Sequence, residues 1–220
     1  MSADQTKELQ SPLFSDDTSL YTRIIRDISN GEFKAGDRLV TTQLATRYDV
    51  SVNPIREALK QLQGEGFVTS NPNSGSRVTQ FENKTMRDVF EILQLLDPYL
   101  MEWFVLEHDK KDLDTLLSIM HKMENLPEDD HVSFRNLDTQ FHWYMYSKHY
   151  NKSAIELWCQ KRLVLQIMHA NLPIRASRVS KSLSEHKEML TAIKARDLDK
   201  SIDILKKHIS NSGDYWSKYF

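Results

Sequence analysis

Apolar residues recur with helical spacing almost from the start of the chain. Tyr21, Ile24, Ile25 and Ile28 fall at i, i+3, i+4 and i+7, one face of a short helix that Asn30 and Gly31 end. Leu44, Ala45 and Tyr48 mark a second short helix, with Thr41 as its expected cap and Asp49 at the left-handed turn that closes it. Ile55, Ala58, Leu59 and Leu62 mark a third. Pro54 opens it, which the first turn tolerates because amides there have no partner inside the helix, and Ser51 or Asn53 is the expected cap. The polar face of this third helix carries Asn53, Arg56 and Lys60. The pattern then changes to GEGFVTS, NPNSGS and RVTQF, which read as strand, turn and strand, a hairpin with Gly75 near its tip. A helix with a buried stripe and a basic outer face, one tight turn after another helix and ahead of a hairpin, is the layout of a winged helix-turn-helix.

Beyond the hairpin, helical periods replace strand alternation. Met86, Val89, Phe90, Leu93, Leu96 and Leu100 predict a long helix to about residue 107, and Leu113, Leu116, Leu117 and Met120 a second. Further helices are expected over about 133–149, 153–171, 179–195 and 198–219. The fold expected is mainly α: an N-terminal winged helix-turn-helix over 18–81, then an all-helical bundle of about six helices over 84–216, with residues 1–17 a disordered tail.

Polar residues that break the apolar stripes carry the candidate chemistry. Asp138 and His142 stand at i, i+4 among Phe134, Leu137, Phe141 and Met145, so both point from one face near the buried side. His186 interrupts the stripe Leu183, Leu190, Ile193, and His208 the stripe Leu198, Ile202, Leu205. One carboxylate and three imidazoles from three helices can converge in a bundle core. The pattern alone leaves two readings open: satisfied core residues, or ligands of one divalent cation that would compensate the carboxylate and take neutral imidazole nitrogens. His149, seven residues past His142, is roughly 10 Å along the axis and too far to share that ion. His108, His121, His131 and His169 match no such spacing and read as surface or boundary residues; the four tryptophans read as packing.

Composition narrows the class only slightly. No apolar run reaches the roughly 18 residues of a membrane span, and the polar, acidic start MSADQTKELQSPLFSDD has no apolar core like that of a signal peptide. Cys159 is the sole cysteine, so no intrachain disulfide forms, and a cytoplasmic, reducing location is expected. The net charge of −2 argues weakly against a nucleic-acid partner, yet residues 19–80 hold eight Lys/Arg against six Asp/Glu, which permits DNA binding without demonstrating it.

The run GEFKAGDRLVTTQLATRYDVSVNPIREALKQLQGEGFVTSNPNSGSRV resembles the DNA-binding domain of the GntR family in its G...G..L approach, the LA of helix two, P-x-R-E-A-L, E-G-x-V and the wing glycine. The resemblance implies DNA contacts from Ser51, Val52, Asn53 and Arg56 at the third helix, Thr42 at the second, and Ser74 and Gly75 at the wing tip. It also implies a homodimer on a pseudopalindromic operator. Family members often have arginine where this chain has Val52, and that departure leaves the operator sequence unreadable.

Residues 84–212 resemble the FCD domain, the helical ligand-binding domain found behind many GntR-type DNA-binding domains. Its metal signature is Asp-x3-His followed by two histidines 22 residues apart, here Asp138, His142, His186 and His208, and Asn151 matches the asparagine that starts the next helix. The resemblance implies a divalent ion (zinc first, with nickel, manganese or iron as alternatives) whose open positions take water or the carboxylate of a small organic acid. The arginine that family members place in the first helix of this domain is Leu93 here; Arg162 is the candidate replacement, against a plainer reading as a surface charge. Two other functions use the same four residues: a sensor for which the ion itself is the signal, and a metalloenzyme. The latter lacks a clearly placed base or nucleophile, since Glu185, beside His186, points about 100° away on the helix.

Overall fold

The computed structural model describes residues 18–71 and 75–219. The N-terminal part runs α1 (Leu20–Ser29), β1 (Arg38–Leu39), α2 (Thr41–Tyr48), α3 (Val52–Gly64), β2 (Val68–Asn71) and β3 (Gly75–Val78). Ser19 caps α1 by accepting from the Thr22 amide, and Ile24, Ile25 and Ile28 are fully buried. They meet Leu44 of α2 and Ile55, Leu59 and Leu62 of α3 in one core with Phe67, Val68 and Val78. Asp49 ends α2 at φ 54°, in the left-handed turn expected of it, with its amide bonded to the carbonyls of Ala45 and Thr46. The strands form an antiparallel sheet in the order β1-β3-β2, with Val68 opposite Val78 and Asn71 opposite Gly75. The hairpin turn, including Ser74, lies outside the described residues, as does the N-terminal tail over 1–17.

Some local expectations need correction. Val40, not Thr41, is the N-cap position of α2, and no side chain caps that helix. α3 begins two residues before Pro54, so Asn53 lies inside it; Ser51 holds the cap position but its side chain makes no capping bond. Strand β1, only two residues long, carries no period in the sequence that would mark it.

Six helices follow: α4 (Asn83–Glu107), α5 (Lys110–Glu124), α6 (His131–Tyr146), α7 (Lys152–His169), α8 (Ala176–Lys194) and α9 (Leu198–Trp216). The fold is thus mainly helical, a winged helix-turn-helix ahead of a helical bundle. α4 packs against α6, α7 and α9, while α8 packs against α5 and α9. Short polar side chains set the helix starts: Asp109 and Asp112 form a capping box on α5, and Asn151 and Asp197 cap α7 and α9. Asp112 also accepts from Tyr144 and pairs with Lys148, which ties α5 to α6. Trp158, Tyr146, Phe104 and Phe141 fill the centre.

The two parts touch at a narrow seam. Asn136 on α6 donates to Asn30 Oδ1 at the end of α1, 3.1 Å away. Gly31, at φ +86°, lies so close to the end of α7 that a Cβ there would sit 2.9 Å from Asn171 Oδ1 and 3.2 Å from the Ala170 carbonyl. Glycine is required both by the positive φ and by this approach.

Candidate metal centre and nucleic-acid interface

Ile55, Ala58, Leu59 and Leu62 turn one face of α3 into the core, which leaves Asn53, Arg56, Glu57 and Lys60 exposed on the other. Arg56 Nη1 lies 3.4 Å from Asn53 Oδ1, and no carboxylate pairs with Arg56 among the described residues. Thr42 and Ser51 are exposed, while Val52 is half-buried against the core. Gly75 opens β3 at φ +74°, where a side chain would be strained. Strand β1 adds a basic residue that sequence patterns did not reveal: exposed Arg38 stands opposite Arg77 in the register with β3.

In the bundle, α6, α8 and α9 bring the four expected ligands together. One donor atom from each of Asp138, His142, His186 and His208 lies within 4.8 Å of the others. His142 Nε2 is 3.3 Å from His186 Nε2, and His186 Nε2 is 3.5 Å from Asp138 Oδ1. Burial pushes His142 well below the usual imidazole range and takes His186 down to about 3. Both rings are therefore neutral near pH 7, with lone pairs free to face one another or a shared cation. Burial raises the Asp138 carboxyl, but the charge of Arg162 outweighs it and holds the group ionised. Neutral imidazoles and an ionised carboxylate at these separations fit a divalent cation.

The surroundings orient these donors. His208 Nδ1 lies 2.7 Å from Glu185 Oε2, which fixes that nitrogen as a donor and leaves the Nε2 lone pair available to a cation. Glu185 also accepts from Arg178 (3.1 Å) and Asn211 (2.6 Å). His142 Nδ1 faces the Tyr146 hydroxyl at 3.4 Å. The sequence marks Glu185 only as a carboxylate beside His186; its bond to His208 exists because α9 lies against α8.

Arg162 is not a surface charge. Its side chain is largely buried, pairs with Asp138 Oδ2 and donates through Nε to Thr139 Oγ1 at 3.1 Å. Burial becomes tolerable because Asp138 neutralises it. Beside this pair is a cavity of about 50 Å³, lined in part by Arg135, Asp138, Gln166, His169 and Arg178. Gln166 Oε1 and His169 Nε2 are buried without a hydrogen-bond partner among the described residues. His169 and His108 are buried rather than at the surface: His169 stacks on Trp216, and His108 Nδ1 folds back on the carbonyls at the end of α4. His149 stands apart from the quartet, among Tyr99, Trp103 and Tyr150. No described helix is long and apolar enough to cross a membrane.

Known proteins share the fold. The chain is similar to the uncharacterized HTH-type transcriptional regulator YdhC of Bacillus subtilis, 23% identical over 199 residues, covering 89% of this chain and 88% of that protein. It is also similar to the HTH-type transcriptional repressor GlaR of Escherichia coli, 23% identical over 203 residues, covering 86% and 90%. Among solved structures, E. coli McbR/YncC shares the fold with a TM-score of 0.80 at 18% identity, covering 91% of this chain and 96% of that one. The family described as "Bacterial regulatory proteins, gntR family" matches residues 17–78, and the FCD domain matches residues 88–211, more than half of the chain. The protein is therefore a member of the GntR family of bacterial transcription regulators, with an FCD domain as its C-terminal part.

Proposed function

We propose that this regulator is controlled by a small organic acid held at a divalent ion between Asp138, His142, His186 and His208. Residues 18–81 form the DNA-binding unit and residues 84–216 the sensing and dimerisation unit. The single observation that carries the reading is the convergence of those four donors. The bound ion, zinc in the first instance, supplies a Lewis-acid anchor for a carboxylate, and Arg162 stands beside it to pair with the same anion. Exposed Arg56 and Asn53 present polar groups to the major groove together with Ser51, Val52 and Thr42, and Ser74 and Gly75 are the wing residues expected to add contacts. Arg38 opposite Arg77 supports a polyanionic partner, because like charges across a strand pair repel until phosphates neutralise them.

The protein acts in the cytoplasm as a homodimer on a pseudopalindromic site. α4 offers a surface for that pairing: Leu95, Tyr99, Trp103 and Leu106 form an exposed apolar stripe at spacings of four, four and three residues. Membership in a family of regulatory proteins leaves no role for the metalloenzyme reading.

Native mass spectrometry of gently purified protein tests the proposal. A dimer with one metal per chain and an additional small mass is expected. A chain that refuses zinc, nickel and manganese would refute the metal site and reduce the four residues to a polar core. One observation favours the ion itself as the signal: the space beside it is small while Arg162 sits on Asp138. Titrating DNA affinity with metal alone separates the two, since a change tracking metal occupancy without any organic acid would favour the metal sensor.

A further inference from the structure

Arg135 on α6 helps line the cavity beside the metal site and is only 9% exposed. Its neighbours Arg162 and Arg178 each have a carboxylate, Asp138 and Glu185. Arg135 has none among the described residues; burial pushes its guanidinium down with no acidic group to offset it. Its donors instead reach two backbone carbonyls, Nη1 to Leu172 at 3.1 Å and Nη2 to Ala170 at 2.8 Å.

Two consequences follow from that placement. The first is a charge imbalance. Three guanidinium groups at this wall face two carboxylates, and a divalent ion raises the positive excess to three. Asp97 of α4 feels the charge of Arg162, yet even fully ionised it removes only one of these. Buried charge of one sign is unfavourable until a counterion arrives. One carboxylate at the ion leaves the Arg135 end uncompensated. Gln166 Oε1 and His169 Nε2, in residues that line the same cavity, have no hydrogen-bond partner among the described residues and would take one from a polar ligand.

The second consequence is mechanical. Ala170 and Leu172 belong to the turn that ends α7, and this turn is the seat of Gly31 at the end of α1. The residue after Arg135, Asn136, makes the hydrogen bond to Asn30 across the same seam. Arg135 thus lines the cavity and, through Nη1 and Nη2, holds the seat of the DNA-binding part.

We propose that the effector carries at least two acid groups, that the second pairs with Arg135, and that this pairing draws the guanidinium from the Ala170 and Leu172 carbonyls and loosens the seat of α1. The proposal rests on the effector reading above and adds to it the ligand class and the route to the DNA-binding part.

The test uses full-length, zinc-loaded wild type and Arg135→Gln, titrated calorimetrically with acetate, succinate and citrate at constant ionic strength. Hydrogen exchange is followed over residues 28–33 and 168–173. Wild type is expected to bind succinate or citrate at least about tenfold more tightly than acetate, the worth of one charge-assisted hydrogen-bond pair. Arg135→Gln should lose that preference while acetate binding is unchanged. Exchange at the seam should rise when the diacid or triacid binds wild type, and not when acetate does. Arg135→Lys keeps the charge without the fork; it should keep part of the preference, and it serves if Arg135→Gln does not fold. Equal affinity for all three acids in wild type overturns the proposal. So does a preference that survives in Arg135→Gln, or a seam whose exchange ignores a bound diacid. Failure of zinc to load, measured before any acid is added, overturns the metal reading instead. The same acid series on metal-free protein then still judges Arg135.

Discussion

Glu185→Gln removes a charge from the metal site without touching a ligand. The carboxylate takes His208 at 2.7 Å, Arg178 at 3.1 Å and Asn211 at 2.6 Å. Burial opposes its ionisation, but the hydrogen bond from His208 and the charge of Arg178 hold the group down to about 2. Against an ordinary glutamate that corresponds to about 3 kcal/mol of preference for the charged form. Glutamine keeps the shape. Its carbonyl can still accept from His208 and Arg178, and its amide can face Asn211 once that side chain turns its own carbonyl inward. The fold should survive, with a stability loss toward the lower end of the roughly 3–5 kcal/mol seen when a buried pair loses one partner. A neutral acceptor makes the His208 imidazole less basic, so zinc affinity should fall about 10- to 100-fold. Competition for zinc against a chelating dye measures this, with His208→Ala as the reference for loss of the ligand itself. Because Glu185 acts through His208, adding Glu185→Gln to His208→Ala should change affinity by no more than about twofold. A folded Glu185→Gln protein that holds zinc like wild type, or the same fall in affinity with His208 absent, would refute the reasoning.

Three further outcomes are expected. Arg56→Ala should weaken binding to duplexes selected from a random pool by roughly 1–3 kcal/mol, and unchanged affinity and selectivity would remove its recognition role. Burial pushes Asp97 up to about 7, with Arg162, Tyr146 and Trp158 opposing. A folded-state value raised this far makes a contribution that is complete below the unfolded value near 3.8 and lost as pH rises through about 7. Asp97→Asn should therefore gain about 2–3 kcal/mol on wild type between pH 5 and pH 8 in urea unfolding, and a difference independent of pH would contradict the burial argument. Gly31→Ala forces a side chain into positive φ against Asn171 and should cost about 1–2 kcal/mol and speed exchange at residues 170–172; wild-type exchange there would show that the seam is not formed in solution.

The contrast between Asp138 and Arg162 explains how far this site is legible in a sequence. Asp138 interrupts an apolar stripe and has His142 one turn away, so periodicity alone marks it as unusual, and His186 and His208 break their own stripes in the same way. The helices are legible for the same reason, since a 3.6-residue period is carried within one segment. Arg162 carries no such mark, because a long charged side chain is tolerated on any helix face until a partner on another helix makes burial worthwhile. Its partner is 24 residues earlier, across the contact of α6 with α7. Glu185 is hidden in the same manner: it stands next to His186 in the chain, while its use is set by His208 on α9. Strand β1 belongs to this class too, for two residues hold no period and Arg38–Leu39 become a strand only through register with β3. The four residues of the candidate metal site announce themselves by breaking a local pattern. Residues that orient those donors keep the local pattern and depend on packing between helices, so the chemistry a variant of Glu185 or Arg162 disturbs cannot be read from either segment alone.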